Sequence, residues 1–255
     1  MDPPPDPFLF LLFEGLPRKG PGSDACTERA YRCIADRVHR PAILDVGCGA
    51  GASALPLARL SGGSVVAVDV HPPYLREVRA AAAAAGSGLQ ITPVRATMDR
   101  LPIRGETFDV IWSEGAISAV GFAQGLRSWR PLLREKGFLA VTELAWFVDE
   151  PPAEVRDFFL QGYPAMVTDA VNLRMIREEG YLLQEAFRLP ESAWREEYYA
   201  PAGRRIREIR DQGNLTPAAE EILALMDLEI AMYDRYSTCY GYVMYVMQKA
   251  GPASR

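Results

Sequence analysis

The sequence predicts a doubly wound α/β domain, and three observations carry that expectation. Short, continuously apolar runs such as Ala42–Val46 (AILDV) and Ser64–Asp69 (SVVAVD) have the pattern of strands buried on both faces. The segments between them have helical period or helix-forming composition. This alternation continues from residue 42 to residue 144, which implies a parallel sheet with right-handed crossovers.

Each element can be justified in turn. An apolar arm, Phe8–Phe13, leads into a loop rich in Pro and Gly, Leu16–Ser23. A helix is expected over Asp24–Val38, with Ala30, Cys33, Ile34 and Val38 on one stripe. Ala42–Val46 is the first strand, followed by a helix over Ala52–Leu60 that Gly62 and Gly63 end. Ser64–Asp69 is the second strand. The alanine run in Pro72–Ala85 favours a helix, with Gly86 where a C-cap belongs. Leu89–Arg95, Phe108–Ser113 and Gly137–Leu144 read as strands three to five, with a helix over Gly121–Leu133.

Beyond residue 144 the alternation loosens. Glu154–Leu160 and Thr168–Glu179 read as helices, Gly180 stops the second, and Tyr181–Leu189 reads as a sixth strand. Two helices follow, Arg204–Gln212 and Pro217–Tyr236, the latter capped by Thr216 with Pro217 at its first position. Its expected apolar stripe is Ile222, Leu225, Met226, Ile230 and Tyr233. Tyr240–Gln248 closes the chain as a last strand.

Composition narrows the function. The chain has 255 residues and a formal net charge of −5 with both signs interspersed, so it lacks the basic stripe that a nucleic-acid substrate would need. No run approaches the roughly 20 apolar residues that span a bilayer. The arm is short, and Asp2 and Asp6 precede it where a signal peptide would be positive, so it reads as a segment that packs onto the body. Cys26, Cys33, Cys48 and Cys239 show no metal-ligand spacing and read as reduced thiols of a cytoplasmic protein, with no metal expected.

The chemistry concentrates in Asp45-Val46-Gly47-Cys48-Gly49-Ala50-Gly51, between the first strand and its helix. Glycines there permit a tight turn and close approach of a ligand to the backbone. By spacing, Gly47, Gly49 and Ala52 also satisfy a dinucleotide-binding pattern. A carboxylate at Asp45, however, suits a cationic ligand and would repel a pyrophosphate. Asp69 ends the second strand, where an acid can accept hydrogen bonds from ribose hydroxyls.

These segments resemble motif I and the ribose-binding acid of class I S-adenosylmethionine-dependent methyltransferases. Thr97-Met98-Asp99-Arg100-Leu101-Pro102 and Phe108-Asp109-Val110 are similar to that family's adenine loop and fourth strand, so the likeness covers about Ile43 to Leu144. The resemblance implies a Rossmann-like seven-stranded sheet with its last strand antiparallel, and S-adenosyl-L-methionine as donor with S-adenosyl-L-homocysteine as product. It also implies roles for particular residues. Gly47, Cys48 and Gly49 would line the methionine portion, Asp45 would lie near its ammonium group, and Asp69 and Val70 would lie at the ribose. Met98 would offer its backbone N–H to adenine, and Thr97 stands where the family often has Asp. Ser113 and Glu114 would face the methyl-donor end. Arg18–Ser23 resembles an N-terminal loop of small bacterial members, in which Arg18 or the helix end at Ser23 would meet the donor carboxylate. A plain turn explains that loop equally well.

The acceptor is less legible. His39 precedes the first strand, and His71 falls on the ribose side, so a histidine base is not expected. Glu114 and Glu143, at the C-terminal ends of strands, are better candidates. About fifty residues, 190–239, separate the last two strands where the minimal fold has a near-direct hairpin. This insertion is expected to form a helical cap on a single domain of residues 1–255 whose arm spans 1–23. Within it Tyr198 and Tyr199, with Trp194 and, after the fifth strand, Trp146 and Tyr163, could cage an amine together with Glu114. Alternatively these rings form the core of the cap. The expected activity is methyl transfer to a small-molecule acceptor. The alternatives are a non-catalytic sensor or scaffold that binds the donor, and a nicotinamide-dependent oxidoreductase. The apolar arm could pair two copies into a homodimer as readily as it packs at home.

Overall fold

The computed structural model describes residues 7–86 and 88–251. The first six residues of the arm, Asp2 and Asp6 among them, lie outside that description. The chain runs α1 (Pro7–Phe13), α2 (Asp24–Arg32), β1 (Ala42–Val46), α3 (Ala54–Ser61), β2 (Ser64–Asp69), α4 (Pro72–Ala84), β3 (Gln90–Arg95) and β4 (Phe108–Ser113). It continues through α5 (Phe122–Trp129), β5 (Leu133–Trp146), α6 (Ala153–Gly162), a short β6 (Val167–Thr168), α7 (Asp169–Glu178) and β7 (Tyr181–Arg188). After β7 come α8 (Glu191–Trp194), a π-helical turn (Arg195–Tyr199), α9 (Ala200–Gln212), α10 (Pro217–Tyr236) and β8 (Tyr240–Lys249).

The strands order as β3-β2-β1-β4-β5-β8-β7, with β6 added beside β5. Only β8 runs antiparallel to its neighbours β5 and β7; the remaining pairings are parallel. The expected sheet and its antiparallel last strand are therefore present, with β6 as a small addition.

Alternation along β1 shows why the strand runs are continuously apolar. Ile43 packs into a core with Leu57 and Val78 of α3 and α4, while Leu44 and Val46 point the other way, toward Leu126 and Trp129 of α5. A third core joins α1, α6 and the helices between β7 and β8 over the C-terminal end of β5 and the N-terminal end of β8. Among the described residues no helix is long and apolar enough to cross a membrane.

Among the differences from the expectation are three boundaries and one helix face. The α2 helix stops at Arg32, and a 3₁₀ turn at Ala35–Arg37 bends the chain toward β1. Fully buried Ile34 anchors the bend, and Arg37 stacks on Phe138. The α3 helix begins at Ala54 because Gly51, at φ 89°, holds the preceding turn. The β5 strand extends from Leu133 to Trp146 because β8 pairs it as far as Tyr240↔Trp146 and β4 pairs it back to Leu133. On α10 the buried face is Ala219, Leu223, Met226, Met232 and Tyr233, whereas Leu225 is 56% exposed. The expected stripe is rotated because α10 packs between α1, α8 and α9 rather than flat on the sheet.

Candidate active site

The β1 strand pairs with β2 on one side and β4 on the other, and the chain leaves it in opposite directions, which opens a crevice at the strands' C-terminal ends. The glycine turn floors this crevice. Gly47, Gly49 and Gly51 all have positive φ, at 74°, 52° and 89°. A Cβ at Gly47 would stand 2.4 Å from the Ala116 Cβ, so a side chain there would both strain the backbone and collide with Ala116, which lines the cleft.

Asp69 closes β2 at the cleft wall. Its Oδ2 accepts the Gly49 N–H at 3.0 Å and its Oδ1 accepts the His71 N–H at 2.9 Å, which fixes both oxygens and leaves lone pairs toward the cleft. Burial raises its carboxyl above the ordinary range, against those backbone hydrogen bonds. Val70 and Cys48 also line the cleft.

Asp45 lies beneath the glycine turn, fully buried. Its Oδ2 accepts the Ser53 hydroxyl at 2.7 Å, and Ser53 itself lines the cleft. Its Oδ1 is buried with no hydrogen-bond partner. Desolvation pushes its carboxyl up to about 7, with Glu114 and Asp69 adding like-charge repulsion.

On the opposite wall, Met98 lines the cleft and its carbonyl accepts the Trp129 Nε1–H at 3.0 Å, which ties the loop after β3 to the end of α5. Thr97 is exposed and does not line the cleft. Ser113 does not reach it either; its buried hydroxyl donates to the Val46 carbonyl at 2.9 Å and joins β4 to β1.

Glu114 lines the cleft, and its oxygens are engaged. Oε1 accepts from Thr27 Oγ1 at 2.7 Å and Trp112 Nε1 at 2.8 Å, and Oε2 faces Arg18 Nη1 at 3.6 Å. Arg18, only 7% exposed, also donates to Asp24 Oδ1 at 2.7 Å. Glu114 thus orients Arg18 at the cleft mouth and is not an open base.

The α1 helix closes one side of the cleft. Phe10 lines it and stacks on His71 at 4.5 Å, and the Tyr74 hydroxyl donates to the Phe10 carbonyl. His71 in turn meets Glu14 at 2.7 Å. Lys19 Nζ donates to the Phe13 and Leu16 carbonyls and to Glu77 Oε2, which pins the arm onto α4 of its own chain.

Beyond Lys19, Gly20 and Gly115 a second cavity continues under the cap, walled by Phe13, Phe159, Trp194, Tyr198 and Tyr242. Tyr198 therefore faces this chamber, stacked on Phe13 at 5.7 Å. Tyr199 does not line it; its hydroxyl donates to Glu229 Oε1 at 3.0 Å. Glu143 lies buried at the end of β5, accepting from Tyr163 at 2.8 Å, with Oε2 unpartnered and its carboxyl raised to about 7 by desolvation. Lys19, Phe10 and Tyr242 fall within the loop, arm and last strand read from the sequence, but nothing along the chain gives them or Glu229 a role at the site. The carboxylate at 229 carries no motif, although its spacing from Met226 and Tyr233 places it on the inward face of a helix. The four cysteines are free thiols.

A parallel sheet with an antiparallel last strand, a glycine turn at the switch point and an acid closing β2 are the arrangement expected of a class I S-adenosylmethionine-dependent methyltransferase, and the likenesses to known proteins support that reading. Residues 43–137 match the model of a methyltransferase domain. The chain is 29% identical over 184 residues to an uncharacterized methyltransferase of Bacillus subtilis, covering 71% of this chain and 76% of that protein. It is 27% identical over 184 residues to an O-methyltransferase of Aspergillus sclerotiorum, covering 70% of each. The fold is similar to that of a methyltransferase from Thiobacillus denitrificans solved with S-adenosyl-L-homocysteine, at TM-score 0.81 and 18% identity over 97% of this chain and 99% of that one.

Proposed function

We propose that this chain transfers a methyl group from S-adenosylmethionine to a small-molecule amine held in the chamber beneath the cap. The observation that carries the reading is the junction at Lys19, Gly20 and Gly115, where the glycine-turn cleft opens into a chamber walled by aromatic rings. The cleft fits the donor. Gly47 lets Ala116 and the turn approach where a Cβ would collide, and the unpartnered Asp45 oxygen provides negative charge beneath the cleft floor for an ammonium group. Asp69 would hold the ribose hydroxyls, the Met98 segment the adenine, and Arg18 the carboxylate.

When bound, S-adenosylmethionine supplies an electrophilic methyl carbon on a sulfonium and leaves as S-adenosylhomocysteine. The chain's own work is to align the acceptor and exclude water, and α1 and the cap helices cover the junction from both sides. The attacking nitrogen must shed a proton. The engaged oxygens of Glu114 leave that task to another carboxylate.

A second reading, a hydroxyl acceptor, is favoured by the likeness to the Aspergillus O-methyltransferase. Calorimetry with S-adenosylhomocysteine and NAD on wild type and Asp69→Ala tests the donor site. The expected result is binding of the adenosyl ligand alone, weakened about a hundredfold by the loss of two hydrogen bonds to a charged group. Binding of NAD alone would overturn the reading. Turnover with a donor carrying a 13C-labelled methyl then separates N-methyl from O-methyl products by carbon chemical shift.

A further inference from the structure

Glu229 stands where two cavities meet. With Phe159 it lines both the aromatic chamber and a groove that opens between α6 and α10 along Phe158, Leu225, Leu228 and Met232. Leu225 and Leu228 are 56% and 45% exposed, so the groove presents apolar faces from the surface to the junction; Glu154 and Asp157 also line it, paired with Arg235 and Arg156. Tyr199 aims the carboxylate, its hydroxyl donating to Oε1 at 3.0 Å. The π-helical turn makes this possible by facing consecutive residues inward, Tyr198 to the chamber and Tyr199 to Glu229.

The charged residues lining the chamber are Lys19 and Glu229. The Lys19 ammonium is committed to the Phe13 and Leu16 carbonyls and to Glu77. Glu229 therefore sets the sign of the field inside a ring of aromatic faces. That combination favours a cation, through charge and through the negative faces of the rings.

We propose that Glu229 selects the acceptor, holding the protonated amine of an elongated, otherwise apolar molecule whose body lies along the groove between α6 and α10. The proposal rests on the methyltransferase reading. Before transfer the ammonium N–H gives its proton to the Glu229 carboxylate, which leaves a neutral nitrogen with a free lone pair. Burial supports this role, since it raises the Glu229 carboxyl above its ordinary range and brings it closer to an amine's.

The test compares 2-phenylethylamine with its neutral counterpart 2-phenylethanol, by calorimetry on wild type and Glu229→Gln, with and without saturating S-adenosylhomocysteine. Wild type is expected to prefer the amine at least tenfold. Glu229→Gln should lose that preference while keeping its affinity for S-adenosylhomocysteine and its melting temperature. Equal affinity for the two probes in wild type, binding of neither, or an undiminished preference in Glu229→Gln would overturn the assignment. Failure of S-adenosylhomocysteine to bind would instead refute the donor reading, and the probe comparison without it would still report on Glu229. For the groove, Leu228→Trp should weaken 4-phenylbutylamine more than 2-phenylethylamine, and equal weakening would remove the groove from the proposal.

Discussion

Asp45 and Glu143 each keep one buried carboxylate oxygen without a partner, and desolvation raises each carboxyl to about 7. A carboxyl whose folded value lies above its unfolded value near 4 binds more protons folded than unfolded over that interval. Its stabilising effect is therefore complete below about pH 4 and is lost as pH rises through about 7. The free protein is expected to melt at a lower temperature at pH 8 than at pH 5, with a loss on the order of 1 kcal/mol or more per group. Asp45→Asn should flatten part of this slope and raise the melting temperature at pH 8, yet weaken S-adenosylhomocysteine most at pH 8, where the wild-type carboxylate is charged. Calorimetric melts across that range check the sign. A melting temperature that rises from pH 5 to pH 8 in wild type would contradict the assignment.

At the scale of elements, α1 is too short to persist alone and stays helical by packing. Leu12 and Phe13 enter the cap core, and Lys19 takes up carbonyls at the helix's open end. One ammonium thus fastens an element that borders both the donor cleft and the acceptor chamber. Lys19→Met should release α1: amide exchange over residues 7–16 is expected to accelerate tenfold or more while β1–β5 keep their protection. Affinity for both the donor and the 2-phenylethylamine probe should fall together. Unchanged exchange in the arm would show that packing alone holds it.

Over the whole molecule, ligand binding and folding are coupled. The cleft draws residues from the arm, β1, β2, β4 and the loop after β3, so a bound adenosyl ligand ties these segments together. At 100 times its dissociation constant a ligand stabilises by about 2.7 kcal/mol. For a chain of this size each kcal/mol moves the melting point by roughly 2–4 °C, so S-adenosylhomocysteine should raise it by about 5–10 °C. A thermal-shift series over ligand concentration checks this, with NAD as the control expected to have no effect.

The residue order by itself determined the five parallel strands, the glycine turn, Asp69 and the presence of an insertion before the last strand. Each of these is a local pattern: a doubly buried strand must be apolar throughout, and a tight turn at a ligand must be glycine. Only the tertiary structure decided which of the expected site residues meet. Ser113 points to Val46 and Glu114 is held by Thr27, Trp112 and Arg18, because neighbouring elements supply partners that no spacing along the chain reveals. Glu229 is the clearest case. An isolated glutamate on a helix is ordinarily a solvated charge, and it becomes a chamber wall only when the cap folds back over β5 and the π-helical turn brings Tyr199 to meet it.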